Sequence, residues 1–319
     1  MCPRFTGRPA ESFDFKEIIY EKKDWVATVT INRPHVFNSY STLTLQEMTT
    51  AFKDATWDDG VAVIVLTGAG EKAFCTGGDV KEYAEDYTVK PRDYWKWMGV
   101  FVEAHDTLRN CGKPVIAKIN GIVAGGGNEW NMACDLAVMV EGATIQQVGT
   151  MVGSVAAGGA TQWLPIMVGD RRAREILYLC EPIPADKCLE WGLVNYVVPR
   201  DQLDAKVDEL CQKLINKFPE CTRYTKQQTN FWKDLAWSTT IGHARDWLAL
   251  HFASVEPYEG MKAFVEKRPK DYIGWRQKAA DGGSSEFLYG PYTQTCSGCG
   301  AKGIPENFKF CGVCGTKLS

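Results

Sequence analysis

Short apolar runs alternate with stretches of helical spacing over the first two hundred residues of the chain. Residues 42–55 carry apolar side chains at helical intervals, and residues 61–68 form a continuously apolar run, typical of a strand buried on both faces. This order of strands and helices predicts an α/β fold with right-handed crossovers. The predicted strands lie within residues 18–31, with a turn at 22–24, and at 61–68, 114–119, 135–140 and 194–199.

The pattern changes beyond residue 200. Residues 203–264 have helical spacing throughout, and residues 282–285 have the glycine–serine composition of a linker. We therefore divide the chain into five parts. They are an N-terminal arm at 1–14, an α/β core at 15–200, a helical region at 201–275, a linker at 276–290 and a small cysteine-rich domain at 291–319.

The rest of the chain is organised around residues 120–134. A strand-like run at 114–119 leads into glycines at 125–127, and a helix-like run follows with Glu129 in its first turn. Glycines allow a sharp turn and close approach of a ligand, and N–H groups at a helix N-terminus stabilise a developing negative charge. The segment is therefore a candidate anion hole with an acid/base group beside it. The alternative is a tight turn with a solvated glutamate.

A second glycine turn lies at residues 74–79, and we predict that a helix begins at Val80. Residues 83–98 are rich in aromatic side chains, which we interpret as core that also forms part of a lid over a bulky apolar ligand. A further glycine-dense loop at 147–161 precedes a predicted helix at 161–168.

Two Cys-x-x-Cys pairs stand near the end of the chain, eleven residues apart, each followed by a glycine. Four thiolates suit tetrahedral Zn²⁺ at about 2.3 Å, and so short a segment needs a metal to fold. We predict a structural zinc ribbon, because the pattern supplies neither an open ligand position nor a nearby acid/base group. The alternative is that these cysteines form two disulfides or remain four free thiols. The predicted ligands are Cys296, Cys299, Cys311 and Cys314.

Composition narrows the function classes further. The 319 residues are 45% apolar with a net charge of -3, so bulk charge does not indicate nucleic-acid binding. No apolar run approaches the roughly 20 residues of a membrane span, and residues 1–14 lack the apolar core of a secretory signal. The four histidines, His35, His105, His243 and His251, show no metal-binding spacing.

Reduced thiols in the cytoplasm explain the scattered cysteines better than a disulfide framework does. These are Cys2, Cys75, Cys111, Cys134, Cys180, Cys188, Cys211 and Cys221.

Several ordered blocks together resemble the crotonase (enoyl-CoA hydratase/isomerase) family over roughly residues 15–270. The blocks are INRP at 31–34, AFCTGGD at 73–79, KPVIA at 113–117, GGGNE at 125–129, CDL at 134–136 and EGMKAFVEKR at 259–268. Within the family, three stretches look most like the ring-opening 6-oxocyclohex-1-ene-1-carbonyl-CoA hydrolases. They are FNSY at 37–40, TGGDVKEYAE at 76–85, and GGAT at 158–161 with LP at 164–165 and LCEP at 179–182.

The resemblance implies a crotonase-like spiral of ββα units, a C-terminal helical region that forms trimers or paired trimers, and a CoA thioester as substrate. It places the two oxyanion-hole N–H groups on Gly78 and Gly126. Such donors stabilise an enolate-like oxygen more in the transition state than in the ground state, and losing one costs roughly 3 kcal/mol. Glu129 matches one of the two glutamates with which hydratases activate water and transfer its proton.

The resemblance also implies where the substrate lies. It places Lys81 at the CoA nucleotide and puts Lys267, followed by Arg268, where a basic pair meets CoA phosphates; the alternative is solvated surface charge. Asp79 either supplies a polar group or caps the helix after its turn. The other positions expected around the substrate are Tyr40, Ala73, Cys75, Gly77, Tyr83 and Gly149.

The chain departs from both family patterns in the loop after residue 140. Gly149 stands where hydratases carry their second glutamate, and Met151, Val152 and Ala157 stand where the ring-opening hydrolases carry Lys, His and Asp. The loop has become apolar, which suggests a wide pocket for an alicyclic or polycyclic acyl group. Polar groups there would come instead from Tyr40, Asp79, Tyr83 and Tyr87.

Three functions remain open. The first is an enzyme that adds water to an alicyclic enoyl- or oxo-enoyl-CoA and hydrolyses the ring, as in the anaerobic degradation of aromatic compounds. The second is a plain enoyl-CoA hydratase or isomerase that uses Glu129 alone. The third is an acyl-CoA-binding scaffold with weak catalysis. The zinc ribbon would serve oligomer contact, partner docking or covering of the active site.

Overall fold

A computed structural model describes residues 6–318 of the protein. Cys2 and the start of the predicted arm lie outside the described residues, as does Ser319 at the end of the predicted ribbon. The chain forms two compact units. The first comprises residues up to 79, 95–151 and 155–248, and the second comprises 80–94, 152–154 and the residues from 249 onward.

The strands are short, and most of them belong to the first unit. They are β1 (Ile18–Lys23), β2 (Val26–Ile31), β3 (Val63–Gly68), β4 (Ala73–Cys75), β5 (Val115–Ile119), β6 (Ile122–Ala124), β7 (Leu136–Val140), β8 (Thr144–Gln146), β9 (Ile183–Pro184), β10 (Tyr196–Val198), β11 (Gln294–Thr295) and β12 (Lys302–Ile304).

The α-helices are α1 (Thr42–Trp57), α2 (Val80–Glu82), α3 (Pro91–Arg109), α4 (Gly126–Ala133), α5 (Ala160–Val168), α6 (Asp170–Leu179), α7 (Ala185–Glu190), α8 (Leu203–Ile215), α9 (Pro219–Thr229), α10 (Phe231–His251), α11 (Val255–Val265) and α12 (Tyr272–Ala280). Short 3₁₀ turns occur at Ala10–Ser12, Pro34–Val36, Thr150–Val152 and Arg200–Gln202, and a π-helical turn occurs at Tyr83–Tyr87.

The first unit contains two sheets. One has the strand order β1-β2-β3-β5-β7-β10, in which β1 pairs antiparallel with β2 and the remaining neighbours are parallel. The other has the order β4-β6-β8-β9, parallel except for its β8–β9 pair. Every residue of β3 is buried, as its unbroken apolar run predicts. The α/β class predicted from the sequence is confirmed.

Local chemistry explains where the helices begin and what they bury. Ser41 caps α1, because its hydroxyl accepts from the N–H of Thr44 at 3.2 Å, and the helix buries Leu45, Met48 and Phe52. Helix α1 is therefore stabilised both by the hydrogen bond at its N-terminus and by the burial of its apolar face.

Buried cations attach the later helices of the first unit to its core. Lys226 on α9 donates to Asp135 at 2.8 Å and to the carbonyl of Lys113 at 3.0 Å. Arg109 on α3 lies 4.9 Å from the ring centre of Trp163 and 5.6 Å from that of Trp237, and it pairs with Asp234. Each of these cations is paired, as burial of a charge requires.

The second unit contains an aromatic cluster and the cysteine-rich end of the chain. The rings of Tyr94 and Phe252 are stacked with centroids 3.5 Å apart, and Tyr83 meets Phe252 edge-on at 6.1 Å. Strands β11 and β12 pair antiparallel in the ribbon. No helix within residues 6–318 has the length and hydropathy needed to span a bilayer.

One predicted boundary is wrong. The linker predicted from residue 276 starts after Ala280, because α12 continues to that residue. The region predicted to be helical at 201–275 contains α8 to α11 and the start of α12, and its residues 201–248 belong to the first unit. The helix predicted from Val80 begins at that residue, but it is one short turn that continues into the π-helical turn, and α3 begins at Pro91.

Candidate active site

The two glycine turns predicted from the sequence pack directly against each other. A Cβ added to Gly77, whose φ is +88°, would lie 2.9 Å from the backbone nitrogen of Gly126. A Cβ added to Gly127 would lie 2.0 Å from the carbonyl oxygen of Cys75. The two backbones approach so closely that only glycine fits at these positions. The packing of the two turns therefore depends on both glycines.

Backbone pairing orients the N–H of Gly78. Tyr40 and Gly78 form an isolated parallel bridge, in which the Tyr40 N–H donates to Gly77 O and the Asp79 N–H donates to Tyr40 O, both at 2.9 Å. The N–H of Gly78 itself therefore faces away from Tyr40. Gly126 is the first residue of α4, so its N–H has no intrahelical acceptor. Among the described residues neither N–H has a hydrogen-bond partner.

Glu129 lies in the first turn of α4 and is only 5% exposed. Burial raises the pKa of its carboxyl to about 7, although hydrogen bonds from the backbone N–H groups of Ala160 and Gly158 act in the opposite direction. Its Oε2 lies 3.0 Å from the position that a Cβ on Gly158 would take. A carboxyl with a pKa close to 7 can accept a proton and return it at neutral pH.

Arg33 holds the segment that orients Gly78. Its guanidinium donates to Ser39 O at 2.6 Å, to Asp79 Oδ2 at 2.9 Å and lies 3.2 Å from Glu17 Oε1. Ser39 and Asp79 flank the two partners of the Tyr40–Gly78 bridge. Arg33 therefore ties both sides of the bridge together, and the predicted site residue Asp79 is engaged in this ion pair.

An aromatic cluster stands beside the turns. The Tyr40 ring lies 6.0 Å from that of Phe101 and meets the Trp130 ring edge-on at 6.4 Å. His105 stacks on Trp130 at 3.7 Å. Burial lowers the pKa of His105 to about 3, so this ring is neutral at neutral pH and is only a weak base there. Its Nδ1 lies 3.1 Å from the carbonyl oxygen of Phe101.

The remaining predicted residues of the first unit lie on strands or loops near these turns. Ala73 and Cys75 are the buried ends of β4, and burial raises the pKa of the Cys75 thiol to about 12, so it is not a thiolate. Gly149 is half-buried and precedes Thr150, whose hydroxyl donates to Leu177 O at 3.0 Å. Gly149 has no side chain, so it contributes only backbone groups to this loop.

Three predicted substrate-binding residues lie in the second unit. Lys81 on α2 is exposed, and Tyr83 is half-buried in the π-helical turn. Lys267 is exposed with a φ of +54°. Its neighbour Arg268 pairs with Glu259 and with Glu266 at 2.6 and 2.7 Å, so the charge of Arg268 is largely compensated within its own unit.

The four C-terminal cysteines converge, as the zinc-ribbon pattern predicts. Their sulfur atoms all lie within 4.8 Å of one another. The two pairs have matching local geometry, because the N–H of the glycine after each pair donates at 2.9 Å to the carbonyl of the first cysteine. Both of these glycines, Gly300 and Gly315, have positive φ. The converging residues are Cys296, Cys299, Cys311 and Cys314.

Sequence reasoning missed the groups that surround Glu129 and Gly78. Gly158 and Ala160 were expected only as part of a glycine-dense loop and of the GGAT block, and Arg33 only as part of the INRP block. The adjacent glycines at 158–159, followed by a helix start, were the available signal for N–H groups aimed at an anion. No local signal exists for Phe101, because its contact with Gly158 joins residues distant in the sequence.

Comparisons with known proteins identify the family to which the chain belongs. The profile of the enoyl-CoA hydratase/isomerase family matches residues 21–276. The chain therefore belongs to this family, has the crotonase-like α/β fold, and is an enzyme that acts on acyl-CoA thioesters.

Individual relatives refine the position within the family. The chain is 33% identical to a 6-oxocyclohex-1-ene-1-carbonyl-CoA hydrolase of Geobacter metallireducens, over 88% of this chain and 87% of that protein. Among solved structures it resembles an enoyl-CoA hydratase of Mycobacterium avium subsp. paratuberculosis, with a TM-score of 0.73 and 26% identity over 81% of this chain and 99% of that one. It also resembles an enoyl-CoA hydratase of Bacillus anthracis, with a TM-score of 0.64 and 31% identity over 81% of this chain and all of that one.

Proposed function

We propose that the chain adds water to an alicyclic enoyl- or oxo-enoyl-CoA thioester and then hydrolyses a carbon–carbon bond of the ring. The Geobacter relative supports this, because its name gives 6-oxocyclohex-1-ene-1-carbonyl-CoA as the substrate of a hydrolase. The observation that carries the proposal is Glu129, a buried carboxyl with a pKa of about 7 in the same helical turn as an unpartnered N–H.

The first half-reaction adds water across the ring double bond. The Glu129 carboxylate removes a proton from water while the water oxygen bonds to the ring carbon β to the thioester. The electron pair of the double bond moves to the thioester oxygen, which the N–H groups of Gly78 and Gly126 bind. Protonated Glu129 then returns the proton to Cα, which regenerates the carboxylate.

The second half-reaction is open to the oxo-enoyl substrate, whose ring already carries a ketone β to the thioester, and it uses the same groups on the hydrated β-keto thioester. Glu129 takes a proton from a second water, whose oxygen adds to the ring ketone. Collapse of the tetrahedral alkoxide breaks the bond between the ketone carbon and Cα, and the electron pair moves again to the thioester oxygen. Glu129 protonates Cα, and the former ketone carbon becomes a carboxylic acid that ionises.

A single carboxylate therefore suffices for both halves. Each half takes one proton from water, returns one proton to Cα and passes through the same thioester enolate. A pKa of about 7 suits a group that must alternate between base and acid. The absence of a second glutamate at Gly149 is compatible with this sequence of steps.

Mass spectrometry of products formed in H₂¹⁸O tests the proposal. The substrates are the CoA thioesters of cyclohexene-carboxylic acid and of its 6-oxo derivative. We expect the oxo thioester to gain two waters, with one labelled oxygen in a new carboxylate. Glu129→Gln should bind both thioesters and convert neither. Gain of a single water would identify a plain hydratase, and no conversion of either thioester would overturn the proposal.

A plain enoyl-CoA hydratase or isomerase is the second candidate. The two solved enoyl-CoA hydratases favour it, since they match this chain over about four-fifths of its length. An acyl-CoA-binding scaffold with weak catalysis is the third, and the apolar loop at Gly149, Met151 and Val152 favours it. The same experiment separates all three when the products are also resolved by chromatography. The hydrolase adds two waters, a hydratase adds one, an isomerase shifts the double bond without a change in mass, and the scaffold leaves the thioesters unchanged.

We further propose that the cysteine cluster holds one structural zinc ion. A tetrahedron with Zn–S bonds of about 2.3 Å has S···S edges of about 3.8 Å. The sulfurs of Cys296 and Cys314 are 3.6 Å apart, and those of Cys299 and Cys311 are 3.8 Å apart. Four thiolates complete the coordination, so zinc would supply folding energy here and no open catalytic position.

The remaining proposals concern binding and assembly. The exposed ammonium groups of Lys81 and Lys267 suit the phosphates of CoA. Residues 201–275 would mediate a trimer or a dimer of trimers. The many reduced thiols are compatible with the cytoplasm.

A further inference from the structure

Tyr40 links the two oxyanion turns, although neither motif includes it. Its backbone pairs with Gly77 and Asp79, which fixes the first turn around Gly78. Its phenolic oxygen lies 1.9 Å from the position that a Cβ on Gly126 would take, which places it in contact with the second turn. Tyr40 therefore contacts both of the turns that carry the proposed N–H donors, Gly78 and Gly126.

The position of the hydroxyl is fixed by packing. Tyr40 is 2% exposed, and its ring packs against Phe101 and edge-on against Trp130. The backbone on both sides of the bridge is held by Arg33 through Ser39 O and Asp79. A buried, clamped phenol loses little conformational entropy when it donates to a ligand, so its hydrogen bond is preorganised.

We propose that Tyr40 is a catalytic residue whose O–H donates a third hydrogen bond to the thioester oxygen bound by Gly78 and Gly126. A phenol keeps its proton at neutral pH and can therefore donate without changing its own charge. The donor would stabilise the enolate formed in each half of the proposed reaction, and this inference rests on that proposed function. Tyr40 does not replace the carboxylate that is missing at Gly149, because its hydroxyl would stabilise negative charge and transfer no proton.

The direct test is Tyr40→Phe, which removes the hydroxyl and keeps the ring. Removal of one oxyanion donor typically lowers kcat by about 10²- to 10³-fold, and we expect a decrease of at least tenfold here because two N–H donors remain. KM should change less than threefold. Isotope-edited infrared spectra of a bound ¹³C-carbonyl thioester should show the carbonyl stretch at higher frequency in the variant.

Tyr20→Phe is the matched control. The Tyr20 hydroxyl is also buried and donates to Asp54 at 2.7 Å, on β1 and away from the glycine turns. Its loss should lower the thermal midpoint and leave kcat and the infrared spectrum unchanged. Wild-type kcat and an unchanged carbonyl stretch in Tyr40→Phe would overturn the inference. If the wild-type protein converts none of the thioesters, the proposed function fails, and the carbonyl stretch alone then decides the role of Tyr40.

Discussion

At the scale of single residues, the fold changes what Glu129 can do. A glutamate in water is ionised at neutral pH, whereas burial brings the pKa of this carboxyl to about 7. The sequence identifies Glu129 through the three glycines before it, and the structure adds the reason for its altered acidity. That reason could not be predicted, because Phe101 and Gly158 enclose the site from distant parts of the chain.

The altered acidity of Glu129 has a consequence for stability. Its carboxyl binds a proton more tightly in the folded chain than in the unfolded one, so folding stability falls as pH rises from about 4.5 to about 7. The full effect is about 3 kcal/mol. The side chain in Glu129→Gln does not titrate. We therefore expect the unfolding free energy of this variant, relative to that of the wild type, to be about 3 kcal/mol higher at pH 8 than at pH 4.5.

Urea unfolding of both proteins at the two pH values measures this difference. Glu103→Gln, which changes an exposed side chain paired with Lys53, serves as the control. A difference between Glu129→Gln and the wild type that stays constant from pH 4.5 to pH 8 would show that Glu129 is not buried as described.

At the scale of secondary-structure elements, the site depends on pairings that a local pattern does not contain. Strands β3, β5 and β7 could be predicted from their apolar runs. Strands β6 and β8 could not, because each has three residues and no periodicity can be read over so short a run. The bridge between Tyr40 and Gly78 involves two residues that belong to no strand at all.

Arg33 provides the prediction at this scale. Its planar guanidinium contacts Ser39 O and Asp79 at the same time, which a single ammonium group cannot reproduce with equal geometry. We expect Arg33→Lys to lower kcat about tenfold with little change in KM, because the Gly78 N–H would lose its fixed orientation.

Steady-state kinetics with the reactive thioester measure this effect, and acyl-CoA binding by calorimetry separates it from lost affinity. Arg174→Lys is the control, since Arg174 pairs with Asp170 on the exposed face of α6. Equal kcat in the wild type and Arg33→Lys would exclude a positioning role.

At the scale of the whole molecule, the sequence predicts the fold class and the ribbon but not the division into units. The ordered glycine blocks and the cysteine spacing are local, so they could be recognised directly. The α/β core was predicted to end at residue 200, yet the first unit also contains α8 and α9, and Lys226 on α9 donates to Asp135 and to Lys113 O in its core. Long-range ion pairs of this kind leave no periodic signature in a sequence.

The ribbon provides the prediction at this scale. Its small core contains Ile304 and Leu318 together with two of the four cysteines, and so few apolar groups cannot stabilise it without a metal. We expect one zinc per chain by elemental analysis. Cys311→Ser should lose the zinc and increase hydrogen exchange over residues 294–318.

Cys221→Ser is the matched control, since Cys221 is an exposed thiol outside the cluster. It should retain the zinc. Zinc-free protein with full exchange protection of the ribbon would contradict the proposed site.

The pH dependence of kcat/KM, measured for the wild type and for Glu129→Gln, tests the central claim most directly. Because Glu129 must be ionised to take a proton from water, we predict that kcat/KM rises with pH up to about 7 and then becomes constant. Glu129→Gln should bind the thioester and show no turnover at any pH. A wild-type profile that is flat between pH 5 and 8, or substantial turnover by Glu129→Gln, would contradict the role assigned to this carboxyl.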